Sequence, residues 1–168
     1  PANTHPLHDA LPIEEAQRCV REGEFTFCRS HRTCIANSMR IIAGQYRGRS
    51  LSSVRDLSIR PTTDRAKQTI FDILSNRLDF DGIEVLDLFA GSGSLGLEAV
   101  SRGARNVVFV DKAQQSLRSI ESNIKTLGCS DKCTAYTADV FWFLKNTHRA
   151  FDLVFVDGDR IGNADHGC

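Results

Sequence analysis

Between residues 84 and 157, four short apolar runs alternate with stretches of helical periodicity, and an aspartate stands in or just after each run. The first is Val85-Leu86-Asp87-Leu88-Phe89, and the second runs from Val107 to Val110 and ends at Asp111. Cys133 to Thr137, followed by Asp139, is the third, and Leu153 to Val156, followed by Asp157, is the fourth. Runs this short and this continuously apolar suit strands covered on both faces. The segments between them are helical. Leu95, Ala99 and Val100 form an inward face closed by Gly103, Leu117, Ile120, Ile124 and Leu127 stripe a helix that stops at Gly128, and Val140 to Leu144 makes a short third helix. Helices between buried strands force parallel pairing with crossovers. The expected fold is therefore α/β, a Rossmann-like sheet of parallel strands with helices on both faces.

The rest of the chain sets limits around that core. None of its 168 residues lies in an apolar run long enough to cross a bilayer, and residues 1–10 lack the basic start and apolar stretch of a secretory signal. Six cysteines occur without a C-x-x-C pair, which points to reduced thiols and a cytoplasmic protein. The string Cys28-x-x-His31-x-x-Cys34 matches no zinc spacing and is read as chance, so no metal is expected. Residues 1–38 show no sustained period, whereas patterned sequence begins at the single methionine, Met39. Met39 is accordingly the expected start of the domain, with residues 1–38 an irregular extension.

Charge is distributed unevenly although the total is zero. Residues 39–80 carry seven Arg and one Lys against four Asp, a net of +4, a local excess suited to a polyanion. Met39 to Ala43 and Arg49 to Val54 flank a turn-rich Gly44 to Gly48, so a basic β-hairpin is expected over residues 39–60. Pro61-Thr62-Thr63-Asp64 then reads as a helix start, with Ala66, Ile70, Ile73, Leu74 and Leu78 at helical spacing.

Chemistry concentrates after the first strand. Gly91-Ser92-Gly93-Ser94-Leu95-Gly96 has the G-x-G-x-x-G pattern of a strand-to-helix turn that lets backbone approach a nucleotide. Both NAD enzymes and S-adenosylmethionine enzymes use such a loop. Asp87 favours the second, because a pyrophosphate gains nothing from a carboxylate, whereas an ammonium and a sulfonium do. Asp111 is placed to accept from the ribose hydroxyls and Asp139 from the adenine amine. Ser92 and Ser94 have no histidine in a motif-like relation and are read as loop residues, and Phe141, Trp142 and Phe143 as core. Cys129 and Cys133 are read as ordinary thiols, and His148 as a residue near a helix end.

Met39-Arg-Ile-Ile-Ala-Gly-Gln-Tyr-Arg-Gly-Arg49, Arg60-Pro-Thr-Thr-Asp-Arg65 and Leu86-Asp-Leu-Phe-Ala-Gly-Ser-Gly93 together resemble the RsmD family, over residues 39–157. These are class I methyltransferases that use S-adenosylmethionine to modify the exocyclic N2 of a guanine in 16S ribosomal RNA. The resemblance implies a cofactor set of Asp87, Phe89, Gly91, Gly93, Asp111, Lys112, Asp139 and Val140, within a core spanning 61–157. It implies RNA contacts from Arg40, Arg47, Arg49, Arg60, Thr62 and Arg65, and Asp157 as the catalytic residue. The implied partner is 16S rRNA or a small-subunit assembly intermediate, with a monomer as the complete form and no membrane.

The sequence leaves the family pattern at its end. Family members close the fourth strand with Asp-Pro-Pro-Tyr, where this chain has Asp157-Gly158-Asp159-Arg160. Asp157 remains as an acceptor for an amine N–H, while the prolines that stiffen the loop and the ring that stacks on a flipped base are replaced. Residues 158–168 are a divergent tail, and the fold is expected to be incomplete at the C-terminus, leaving the fourth strand as an open edge. Two alternatives follow: an RNA-binding fragment without catalysis, and an NAD-dependent oxidoreductase.

Overall fold

The computed structural model describes residues 39–52 and 63–156. Expectations for residues 1–38, for Arg60 and Thr62, for the return of the hairpin beyond Ser52, and for Asp157 and the tail lie outside those residues. The described elements, in order, are α1 (Asp64–Ser75), β1 (Glu84–Leu88), α2 (Ser94–Arg102), β2 (Asn106–Asp111), α3 (Gln114–Leu127), a 3-10 turn (Ser130–Lys132), β3 (Cys133–Thr137), α4 (Val140–Asn146) and β4 (Leu153–Val156).

The strands form one parallel sheet in the order β3-β2-β1-β4, with Asp87 level with Phe109 and with Phe155. Period-two alternation divides it into two faces. Val85, Val107, Phe109, Leu153 and Phe155 join α2 and α3 in one core, whereas Leu86, Leu88, Val108 and Val110 pack with Val140, Phe143 and Leu144 of α4 in the other. Phe71 of α1 closes the first core, its ring 5.3 Å from Phe80 and 5.6 Å from Phe155. The chain passes from β3 to β4 across β1, so the β1/β4 gap is the topological switch point, where open α/β sheets bind ligands beyond the carboxyl ends of the strands.

Several local expectations are refined. Phe89 does not extend β1: its φ of 55° is left-handed, which turns the chain into the glycine loop at a cost of about 1–2 kcal/mol. Phe71, rather than the exposed Ile73, is the deepest anchor of α1. Thr63 caps that helix, its Oγ1 accepting the Ala66 N–H at 3.2 Å. Phe143 is buried as expected, but Phe141 and Trp142 are exposed, because α4 offers the sheet one face and those two residues lie off it.

The basic segment is narrower than a pair of strands. Residues 39–52 form an arm with a single antiparallel bridge, Arg40 to Ser50, flanked by Ile41 N–H to Arg49 O and Leu51 N–H to Met39 O. Met39, Ile41 and Leu51 are buried in the first core. No helix among the described residues is long and apolar enough to cross a membrane.

Candidate active site

The carboxyl ends of β1 and β2 place two aspartates on the α2/α3 side of the sheet, where each carboxylate holds the glycine loop. Asp87 Oδ2 accepts the Gly96 N–H at 2.9 Å, and Asp111 Oδ2 accepts the Gly91 N–H at 2.8 Å while its Oδ1 accepts the Ala113 N–H at 2.9 Å. Both aspartates are buried. The need for Asp87 is local: the N-cap of α2 is Gly93, at φ 74°, and it has no side chain to cap the helix. A carboxylate from the neighbouring strand therefore satisfies one of the orphan amides and meets the positive end of the helix dipole. A Cβ on Gly93 would stand 3.1 Å from the Phe109 ring, so the loop hugs the sheet as closely as glycine permits.

Asp139 follows β3 and is the N-cap of α4, with Oδ1 accepting the Trp142 N–H at 2.9 Å. The Ala138 N–H donates to Asp111 O at 3.1 Å, which joins the ends of β2 and β3. Phe89, Gly91, Gly93, Asp111 and Asp139 thus belong to one edge of the sheet. Val140 faces the second core, and Lys112 is exposed beside Asp111. Each of the three aspartates also has a structural duty: Asp87 and Asp111 brace the glycine loop, and Asp139 caps α4.

The arginines divide. Arg40, Arg47 and Arg65 line one pocket of about 370 Å³ together with Asp64 and Gln68, between the arm and the start of α1. Asp64 partly offsets their charge through an ion pair with Arg40 at 2.9 Å. Arg49 is directed elsewhere, donating from Nη1 to Thr126 O at 3.3 Å at the negative end of α3.

Four buried polar side chains missing from the sequence reading fasten the arm to the core. Glu98 on α2 accepts the Ile42 N–H at 2.8 Å on one oxygen, and the Ala43 N–H and Arg102 Nε, both at 3.0 Å, on the other. Lys67, fully buried, donates to Arg40 O at 2.5 Å and lies 3.9 Å from Glu98. Burial pushes the Lys67 ammonium below the ordinary lysine range, and the Glu98 carboxylate pulls it back up. Ser101 Oγ accepts the Tyr46 N–H and donates to Ala43 O. Asn123 on α3 completes the set, and its contacts are described below.

Cys129 and Cys133 are more than separate thiols. Their sulfurs lie 3.8 Å apart across the 3-10 turn, and the shared hydrogen bond lowers the pKa of Cys129 and raises that of Cys133.

Comparison with known proteins places the chain among methyltransferases. The conserved hypothetical protein 95 family matches residues 39–158. The chain is 40% identical over 122 residues to ribosomal RNA small subunit methyltransferase D of Haemophilus influenzae, covering 71% of this chain and 62% of that one. Over another 122-residue match it is 34% identical to the Escherichia coli K12 protein of the same description, covering 73% and 60%. Among solved structures, a hypothetical protein of Thermus thermophilus superposes with a TM-score of 0.56 at 35% identity, covering 63% of this chain and 58% of that one. Structures described as a putative methyltransferase of Escherichia coli and a putative methylase of Haemophilus influenzae each superpose with a TM-score of 0.55, in agreement with the Rossmann-like sheet. The chain spans 54–62% of the length of several curated relatives that it matches.

Proposed function

Because the chain belongs to the conserved hypothetical protein 95 family, the RsmD family of methyltransferases, we propose that it binds S-adenosylmethionine and RNA for methylation of a guanine exocyclic N2 in 16S ribosomal RNA. The RNA substrate is 16S rRNA or a small-subunit assembly intermediate.

The observation that carries this reading is the bracing of the glycine loop by carboxylates. The Gly91 and Gly96 N–H groups, which a pyrophosphate would need as donors, are bonded to Asp111 and Asp87. A second anion at that loop meets two buried negative charges, whereas a cofactor carrying a sulfonium and an ammonium gains from them. This disfavours the NAD alternative. Asp87, Phe89, Gly91 and Gly93 would hold the methionine end, Asp111 and Lys112 the ribose, and Asp139 and Val140 the adenine.

When bound, S-adenosylmethionine supplies an electrophilic methyl group. The protein's part is to present the nucleophile. Asp157, next after β4 in sequence, would accept one N–H of the guanine amine and turn its lone pair from the ring towards the methyl. The pocket of Arg40, Arg47 and Arg65 would seat a backbone phosphate, which gives affinity and register rather than base choice. Arg60 and Thr62 would extend that contact. Because Gly158-Asp159-Arg160 stands where the family has Pro-Pro-Tyr, a second reading keeps both binding functions without transfer. Binding with no incorporation of labelled methyl into 16S rRNA distinguishes it.

Calorimetric titration tests the cofactor assignment. S-adenosylhomocysteine should bind saturably, Asp111→Ala should weaken it by about tenfold or more, as expected for lost bonds to a charged group, and NADH should give no saturable heat. A folded chain that takes NADH and ignores S-adenosylhomocysteine contradicts the assignment.

A further inference from the structure

Asn123 is buried in the middle of α3, at the spacing of Ile120, Ile124 and Leu127, where an apolar residue would be expected. All its hydrogen-bonding capacity on one face is spent on backbone. Its Oδ1 accepts the Ser52 N–H at 2.7 Å, and its Nδ2 donates to Ser52 O and to Ser92 O, each at 3.0 Å. Ser52 ends the described arm, and Ser92 lies inside the glycine loop. The two segments also meet directly, with Ser92 Oγ 3.3 Å from Met39 Sδ. An amide can make this junction where a carboxylate or an aliphatic chain cannot, because it must accept from one N–H and donate to two carbonyls at once.

We propose that Asn123 is a positioning residue that makes the basic arm and the glycine loop one cooperative unit, so that cofactor held by the loop and RNA held by the arm favour each other. Anything that settles Ser92 also settles Asn123, and through it the backbone at Ser52. By linkage the effect must be reciprocal. The ligand half of this inference rests on the function proposed above, while the mechanical half does not.

Hydrogen exchange read by mass spectrometry separates the two. In the unliganded chain, Asn123→Leu, which keeps the branched shape and the number of heavy atoms but removes the three bonds, should speed exchange on the order of tenfold in both residues 50–52 and residues 91–96. Ser101→Ala, which loosens the arm at Tyr46, should leave 91–96 unchanged. If Asn123→Leu does not fold, Asn123→Asp, which retains the acceptor alone, serves in its place. Deprotection confined to one segment overturns the proposal. With S-adenosylhomocysteine added, the wild-type chain should gain protection in both segments and Asn123→Leu only in the loop. Wild-type protection of the loop without the arm also overturns it. If S-adenosylhomocysteine leaves the wild-type loop unprotected, the cofactor reading fails, and the unliganded comparison still decides the coupling.

Discussion

Glu98→Ala should release the arm from the sheet and cost about 3–5 kcal/mol, the loss expected when a buried ionic cluster is broken from one side. The buried Glu98 carboxylate meets two backbone amides, Arg102 and Lys67. Its removal strands the Ile42 and Ala43 N–H groups and leaves the buried Lys67 ammonium beside the partly exposed Arg102 guanidinium without their shared counter-charge. Against a typical domain stability of about 5–15 kcal/mol, that is a large share. Thermal melting should fall by about 10 °C or more. Trypsin should cut faster after the exposed Arg47 and Arg49 once the arm's backbone is no longer held at Ile42 and Ala43. Glu98→Gln, which keeps one acceptor oxygen, should fall between the two. A melt within about 0.5 kcal/mol of wild type, the range of an ordinary surface substitution, with the arm equally resistant to trypsin, would refute the anchoring role.

Gly96→Ala should also be destabilising, although alanine is the better helix former by about 1 kcal/mol. A Cβ at Gly96 would lie 2.4 Å from Phe109 Cε1 and 2.9 Å from Val107 Cγ1, both on β2 beneath α2. Phe109 is fully buried and has nowhere to retreat. The helix must move off the sheet, and because the Gly96 N–H is the one that Asp87 holds, the loop moves with it. Overpacking of this kind costs about 1–3 kcal/mol net, and binding at the loop should fall further than stability does. Gly96→Ala combined with Phe109→Leu should recover much of the stability, since leucine removes the clashing ring atoms. A single variant as stable as wild type would mean that the contact is not as tight as described.

These two residues also mark where sequence reasoning ended. The strands β2 and β4 were legible almost to the residue, because a continuous apolar run between helical stripes has few other uses. The strand β3, a half-buried Cys133-Thr-Ala-Tyr-Thr137 at the edge of the described sheet, was legible from its place between two helices. The glycine loop was legible from its G-x-G-x-x-G spacing between a strand and a helix. Glu98 was not, since a charged residue on a helix ordinarily faces water. The overlooked signal was the composition of α2, where Ser94, Gly96, Ala99 and Ser101 leave so many sides thin that the helix is buried nearly all round. Asn123 carried a clearer mark, a polar amide at a core position of a regular stripe. Lys67 carried a weaker mark of the same kind, three, four and seven residues before Ile70, Phe71 and Leu74, but a lysine at such a position ordinarily reaches to water. The cap that Asp139 makes on α4 is local, whereas the loop-bracing contacts of Asp87 and Asp111 depend on how the backbone turns at Phe89 and Gly93. That turn is a tertiary outcome.

The exposed aromatics have a similar explanation. Phe141, Trp142 and Phe143 are consecutive, and a seven-residue helix against a sheet can bury only one side of such a run. Periodicity over so few residues does not say which one.

The central claim is that the carboxyl edge of β1, β2 and β3 holds S-adenosylmethionine. Ultraviolet photolabelling with S-adenosylmethionine tritiated on its methyl group, followed by peptide mapping, tests it most directly. The account predicts label in peptides containing residues 87–96, 111–113 or 139–142, chased by S-adenosylhomocysteine and not by NADH. Label elsewhere on a folded chain, or label chased equally by NADH, would contradict it.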